Sequence, residues 1–212
     1  MATTHRSDAT MTVAWDPPPP RSGPRGLWDR FAGPGATRAE NRLQVIGVAL
    51  LGGLTMALVV RERGEDVAAW QIAVAAILAV DIAGGIVTNA TSAAKRWYHR
   101  PAEGLRSHLG FVALHATQIG IVAAIFTDEP VAYFAATYGL LLATSYVVLS
   151  VPLYLQRSIA LLLAAAAVPV SELVAADVVD AGMAWFTPLL FLKILVSHLT
   201  TEVPFRPVDV RD

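Results

Sequence analysis

Asp81, Asn89, His108 and His115 are the residues whose types and spacing fit chemistry. Asp81 stands alone in a long apolar stretch. A carboxylate in mid-bilayer costs at least a few kcal/mol, so it must face the protein interior and find a partner. At 100° per residue Asp81, Gly84, Gly85 and Thr88 share one helical face, with Asn89 at its border. His108 and His115 share one face of the next helix, with Gln118 close by. Counted from the ends of these two helices, Asp81 and His115 each lie about ten residues, roughly 15 Å, inside. Asn89 and His108 each fall within a turn of the same end. Packed side by side, the helices would let Asp81 meet His115 and Asn89 meet His108. Histidine titrates near neutral pH, and a carboxylate beside it tunes that titration, which is the equipment of general acid–base catalysis. A structural Asp81–His115 hydrogen bond that only orients two helices is the plainer alternative, and a proton path is a third.

Imidazole and carboxylate also suit zinc or non-haem iron, so His108 and His115 with His99, His198 or Asp81 form a possible metal set. Residues at i and i+7 are two turns, about 10 Å, apart, too far for one ion to take both histidines easily. A His-ligated metal is therefore not the preferred reading, and the residues name no cofactor. The absence of cysteine removes disulfides, thiolate sites and iron–sulfur clusters. No phosphate-binding glycine loop, HExxH pair or nucleophile elbow is present.

Between the two helices the chain reads Lys95-Arg96-Trp97-Tyr98-His99-Arg100-Pro101. Basic residues beside a membrane face are ordinary topology signals, and Trp97 and Tyr98 are ordinary interface anchors. The sharper reading has Lys95, Arg96, Arg100 and Arg106 gather a phosphate or pyrophosphate headgroup, with His99 at the entrance of the polar site. His198 and Glu202, near the C-terminus, can join from the side. Lys193 is expected to snorkel inward, and Glu172 to snorkel or form a structural pair. Asn89-Ala-Thr91 matches a glycosylation sequon, but its expected inner position argues against modification.

The elements that must position these residues are membrane spans. The chain has 212 residues, 55% hydrophobic and 16% charged, with mean hydropathy +0.52, too apolar for an ordinary soluble domain. Apolar runs cover about 43–60, 69–90, 105–126, 130–152, 158–176 and 181–200, each near the ~20 residues needed to cross a bilayer. The expected fold is an all-α polytopic membrane protein, a bundle of about six transmembrane helices over residues 42–202. Pro169 and Pro188 predict kinks. Gly53 with Ala57, and Ala75 with Ala79 and Ala83, form small-residue stripes for close helix packing.

Residues 1–41, rich in Pro, Gly and Arg, read as a disordered tail, with Leu27, Trp28 and Phe31 able to rest on lipid headgroups. Residues 203–212 form a C-terminal tail. Thirteen of the sixteen Lys and Arg residues fall on the side of the two termini if there are six spans. The positive-inside rule then places both ends in the cytoplasm, and the Ala- and Arg-rich composition points to a plasma membrane. Membrane lipids are the expected partners, self-association into a homo-oligomer is open, and a net charge of −1 argues against nucleic acid.

The preferred function is a small membrane enzyme acting on a lipid or isoprenoid at the cytoplasmic leaflet. Asp81 and His115 would move the proton, with His108 and Asn89 beside them, and His99, Arg100, Arg96, Trp97 and Tyr98 would hold substrate. A proton-coupled permease and a non-catalytic scaffold are the alternatives.

Overall fold

The chain is an integral membrane protein built as an all-α bundle with six helices long and apolar enough to span a bilayer. A computed structural model describes residues 16–63, 68–175 and 177–202. Eight helical elements are labelled here in chain order. α1 is Gly23–Ala32 and α4 is Ser92–Tyr98. The spans are α2 Arg38–Glu62, α3 Ala69–Ala90, α5 Leu105–Phe126, α6 Pro130–Ser150, α7 Leu153–Ala175 and α8 Ala181–His198. Among the described residues there is no strand, only an isolated Thr127–Val179 bridge. With Asp128 N–H donating to Val178 O and Asp180 N–H to Phe126 O, both at 3.0 Å, this bridge ties the α5–α6 link to the α7–α8 link.

Two span boundaries differ from the apolar count. α2 begins at Arg38 because Thr37 and Glu40 form a capping box: Glu40 N–H donates to Thr37 Oγ1 at 3.1 Å and Thr37 N–H to Glu40 Oε2 at 2.7 Å. The cap satisfies orphan amides and starts the helix within polar sequence. α7 begins directly after Pro152 and includes Gln156 and Arg157, whose polarity had hidden its first turn. It runs through Pro169 as one helix.

Residues 1–15 and 203–212 lie outside the described residues. Within the stretch read as a disordered tail, Gly23–Ala32 forms the helix α1. Composition missed what holds it. Asp29 is buried and accepts from Arg21 Nε at 2.9 Å and from Arg21 N–H at 2.8 Å. This pairing holds the Asp29 carboxyl below its usual range. Leu27, Trp28 and Phe31 point outward, as a headgroup-facing stripe requires.

Gly33 seats α1 against α4. It has φ 87°, where L side chains are strained, and a Cβ there would fall 2.2 Å from the Ala93 carbonyl carbon. Backbone cannot yield as a flexible side chain would. Gly33→Ala is expected to cost about 1–3 kcal/mol locally and to undock α1, read as protease cleavage within residues 21–37 under conditions that spare the wild type.

α8 is the centre of the bundle. In its spanning window 61% of residues are buried, against 22–39% in the other five. It packs on α2, α3, α6 and α7, while α5 packs mainly on α6. Side chains such as Leu50, Ile77, Leu114 and Leu162 are exposed around the outside, where lipid is their natural solvent. The buried stripe on α2 is Gly52, Thr55 and Val59, displaced from the expected Gly53 and Ala57, which face outward. Gly52 approaches the Ala79 carbonyl of α3, and Ala75, Ala79 and Ala83 are buried as expected.

Two irregularities sit beside the polar residues. α5 breaks at His115, whose amide bonds back to Val112 O at 3.0 Å instead of to Phe111 O. The His115 ring takes the Phe111 carbonyl, and Tyr138 OH donates to Ala113 O at 3.3 Å, so side chains satisfy carbonyls near the break. In α8, Leu192–His198 is π-helical, a wide turn that natural helices often place at functional sites.

Candidate active site: a histidine pocket at the end of the bundle

The expected Asp81–His115 pair does not form. Asp81 instead accepts from Lys193 Nζ at 2.7 Å. The physical reason is packing: α3 lies against α8, and α3 and α5 make no extensive contact. Gly85 clears the route, since a Cβ there would fall 2.2 Å from Lys193 Cε. The Lys193 side chain is 4% exposed and that of Asp81 39%. Lys193 thus does not snorkel to the membrane edge; its charge is held on Asp81. The same packing removes the second expected meeting. Asn89 is buried at the end of α3, and no hydrogen bond joins it to His108 among the described residues.

The structure gathers the histidines at the end of the bundle where α4 joins α3 to α5. His108 from α5, His198 from α8 and His99 after α4 form a cluster with ring centroids 4.7 Å (His99–His108), 5.5 Å (His108–His198) and 6.3 Å (His99–His198) apart. Phe111 stacks on His198 at 3.9 Å and meets the edge of His115 at 5.0 Å. A cavity of about 200 Å³ opens here, lined by Trp97, Tyr98, Arg100, Glu103, Ser107, His108, Phe111 and His198. Three of the five residues expected to hold substrate line it. His198, placed at the side by sequence reasoning, is at its core.

The tautomers follow from the partners. A carbonyl only accepts, so His99 Nε2–H donates to His198 O at 2.8 Å. Its Nδ1 then accepts from Thr201 Oγ1 at 3.1 Å. Both ring nitrogens are engaged, which makes His99 a clamp on the end of α8. Lys95, one turn earlier, does the same: Nζ donates to Thr200 O at 2.7 Å and Thr200 Oγ1 at 3.0 Å. Gln156 Oε1 accepts from Thr201 N–H at 2.6 Å. Glu202, expected beside the histidines, pairs with Arg157 at 3.0 Å instead.

His115 and His198 are different. His115 Nδ1–H donates to Phe111 O at 3.0 Å, which leaves Nε2 as a buried acceptor with no partner. Both ring nitrogens of His198 are buried without a partner. An unsatisfied buried polar atom costs about 1–3 kcal/mol, which sets His115 and His198 apart from the clamped His99.

The four cations expected to gather a headgroup divide. Lys95 and Arg96 are buried inside the protein, and Arg106 is exposed outside the cavity lining. Only Arg100 lines the cavity, its guanidinium 3.9 Å from the Trp97 ring centre, donating to Trp97 O at 2.5 Å and paired with Glu103. Tyr98 OH donates to Phe31 O at 3.0 Å, fastening α1 beside the cavity. No group of three or more His, Asp or Glu among the described residues is arranged to hold a metal ion, and both ring nitrogens of His99 are engaged by protein partners.

Burial lowers the His99 pKa from 6.5 to about 4, with the Lys95 and His108 charges adding to the effect. The folded state therefore keeps His99 neutral where the unfolded chain has begun to bind a proton. The sign is that of a depressed base: stability is full above pH 6.5 and falls as pH drops from 6.5 toward 4. A shift of that size corresponds to roughly 3 kcal/mol at most. Thermal unfolding in detergent is expected to show an acid-side loss over this window that His99→Gln shrinks.

No protein-family model, no curated protein and no solved structure matches the chain, so the functional reading rests on these residues.

Proposed function

We propose that this protein is a small membrane enzyme that moves a proton on the headgroup of a lipid or isoprenoid at the cytoplasmic leaflet. The observation that carries the reading is the cavity where His108 meets His198, both of whose ring nitrogens are left over, beside Arg100 and Ser107. An imidazole nitrogen with no other partner can take a proton from a bound group or return one to it. His108 is the proton-transfer residue, since it lines the cavity and carries no clamp. His198 and His115 stand behind it as further proton-handling groups. Arg100, oriented by Trp97, and Tyr98 position the headgroup.

Loop charge supports a cytoplasmic orientation of the side that holds the cavity and termini, since thirteen of sixteen Lys and Arg residues fall there. Asp81 and Asn89 serve in this reading as structural partners of the bundle.

The test is incubation of detergent-purified protein with native lipid extracts, followed by mass spectrometry. A lipid converted by the wild type and untouched by His108→Ala supports the enzyme; equal conversion by both rejects the assignment of His108. A proton-coupled permease is the second reading, favoured by the succession of ionisable groups along α8 from Lys193 with Asp81 to His198 with His108. Solute flux in proteoliposomes driven by a pH gradient, with no lipid conversion, would establish it instead.

A further inference from the structure

A second cavity, of about 430 Å³, opens between α6 and α7 at the end of the bundle opposite the histidines. Its size falls within the roughly 300–1,000 Å³ of small-molecule sites. We propose that it binds a single-chain amphiphile with a neutral hydroxyl head, drawn from the leaflet at that end. Three features of the cavity choose this occupant.

The first is its shape relative to the bilayer. Tyr133 lies one turn, about 5 Å, below the start of α6 at Pro130, and Leu140 about 15 Å below it. Of its lining residues, Glu129 precedes α6 and Ser171 lies about 6 Å from the end of α7, while Leu140, Ala167 and Phe191 lie about 12–15 Å into their helices. Polar groups are thus at headgroup depth and apolar ones toward the midplane, the order found along a lipid.

The second is its opening. Ala132 and Ala136 on α6 are exposed, and their missing bulk leaves a lateral gap facing hydrocarbon. An apolar cleft at this depth admits a chain from the membrane without passage through water.

The third is its hydrogen-bond sense. Tyr133 OH and Thr187 Oγ1 are 2.8 Å apart, and Thr137 adds a third hydroxyl to the lining. Three hydroxyls bring three protons and six lone pairs, so any bonding among them leaves acceptors in excess. The Glu129 carboxylate is also an acceptor. No Lys, Arg or His lines the cavity. With the Glu129 carboxylate in the lining and no cation to offset it, such a site favours a neutral head that can donate over a phosphate or carboxylate.

The test uses the full chain in nanodiscs and a long-chain primary alcohol carrying a mid-chain diazirine. Photolabelling is expected within residues 132–140 and 167–171, competed by unlabelled alcohol and not by the long-chain phosphate or fatty acid of equal length. Ala136→Leu, at an exposed position that does not disturb the core, should reduce labelling several-fold by filling the gap. Tyr133→Phe should weaken competition by the alcohol while leaving competition by the parent alkane unchanged. Labelling spread evenly over the lipid-facing helices, or equal competition by the phosphate, would overturn the proposal. Because this cavity shares no residue with the histidine pocket, its failure would leave the enzyme reading intact.

Discussion

Lys193→Met is expected to destabilise the protein by up to about 3–5 kcal/mol, the cost of leaving a partner charge uncompensated away from water. The Lys193 side chain is nearly fully enclosed, and Asp81 holds its Nζ at 2.7 Å across the α3–α8 contact. Methionine keeps most of the volume but leaves the Asp81 carboxylate without its cation at membrane depth, where water is scarce. Asp81→Asn should cost comparably, because it strands the lysine. The double variant Asp81→Asn, Lys193→Met removes both charges and is expected to recover most of the loss, since a buried pair contributes little net stability over neutral groups of similar shape. Unfolding midpoints of the four proteins in one detergent decide the matter. Additive losses in the double variant would mean the two residues act independently and that the ion pair is not what holds α3 to α8. Gly85→Leu offers an orthogonal check, because its side chain would occupy the space of the Lys193 stem.

His108→Ala is expected to lower the proposed lipid conversion by about 10²–10⁴-fold, the usual contribution of a positioned acid or base. The same substitution should leave the unfolding midpoint within a few degrees of wild type, since among the described residues no side-chain hydrogen bond or ion pair depends on that ring, and its neighbours His99 and His198 are held by other contacts. Asp81→Asn gives the contrasting pattern: a large fall in stability and, in the fraction that remains folded, conversion near the wild-type rate. Should Asp81→Asn instead abolish turnover with stability intact, the carboxylate would belong to the chemistry after all and the histidine pocket would lose its priority.

The membrane class and the number of candidate spans were legible along the chain, as was the need for its few embedded charges to find partners. Those properties are local: an apolar run of spanning length must lie in lipid, and a charge within it must face inward. Likewise, the small residues of α3 announced close packing before any neighbour was known. The partners were not legible. Depth arithmetic put Asp81 level with His115, but depth says nothing about which helix lies beside which, and consecutive spans need not pack together. Only the tertiary structure made α8 the central helix, brought Lys193 past Gly85 to Asp81, and turned Lys95 and His99 from surface groups into clamps on residues 198–201. It also moved His198 from the margin to the middle of the cluster. Contacts between residues about a hundred positions apart depend on how six similar apolar rods choose neighbours. That choice is made by steric fit and by a few buried polar groups together, so it emerges only when all the helices are in place.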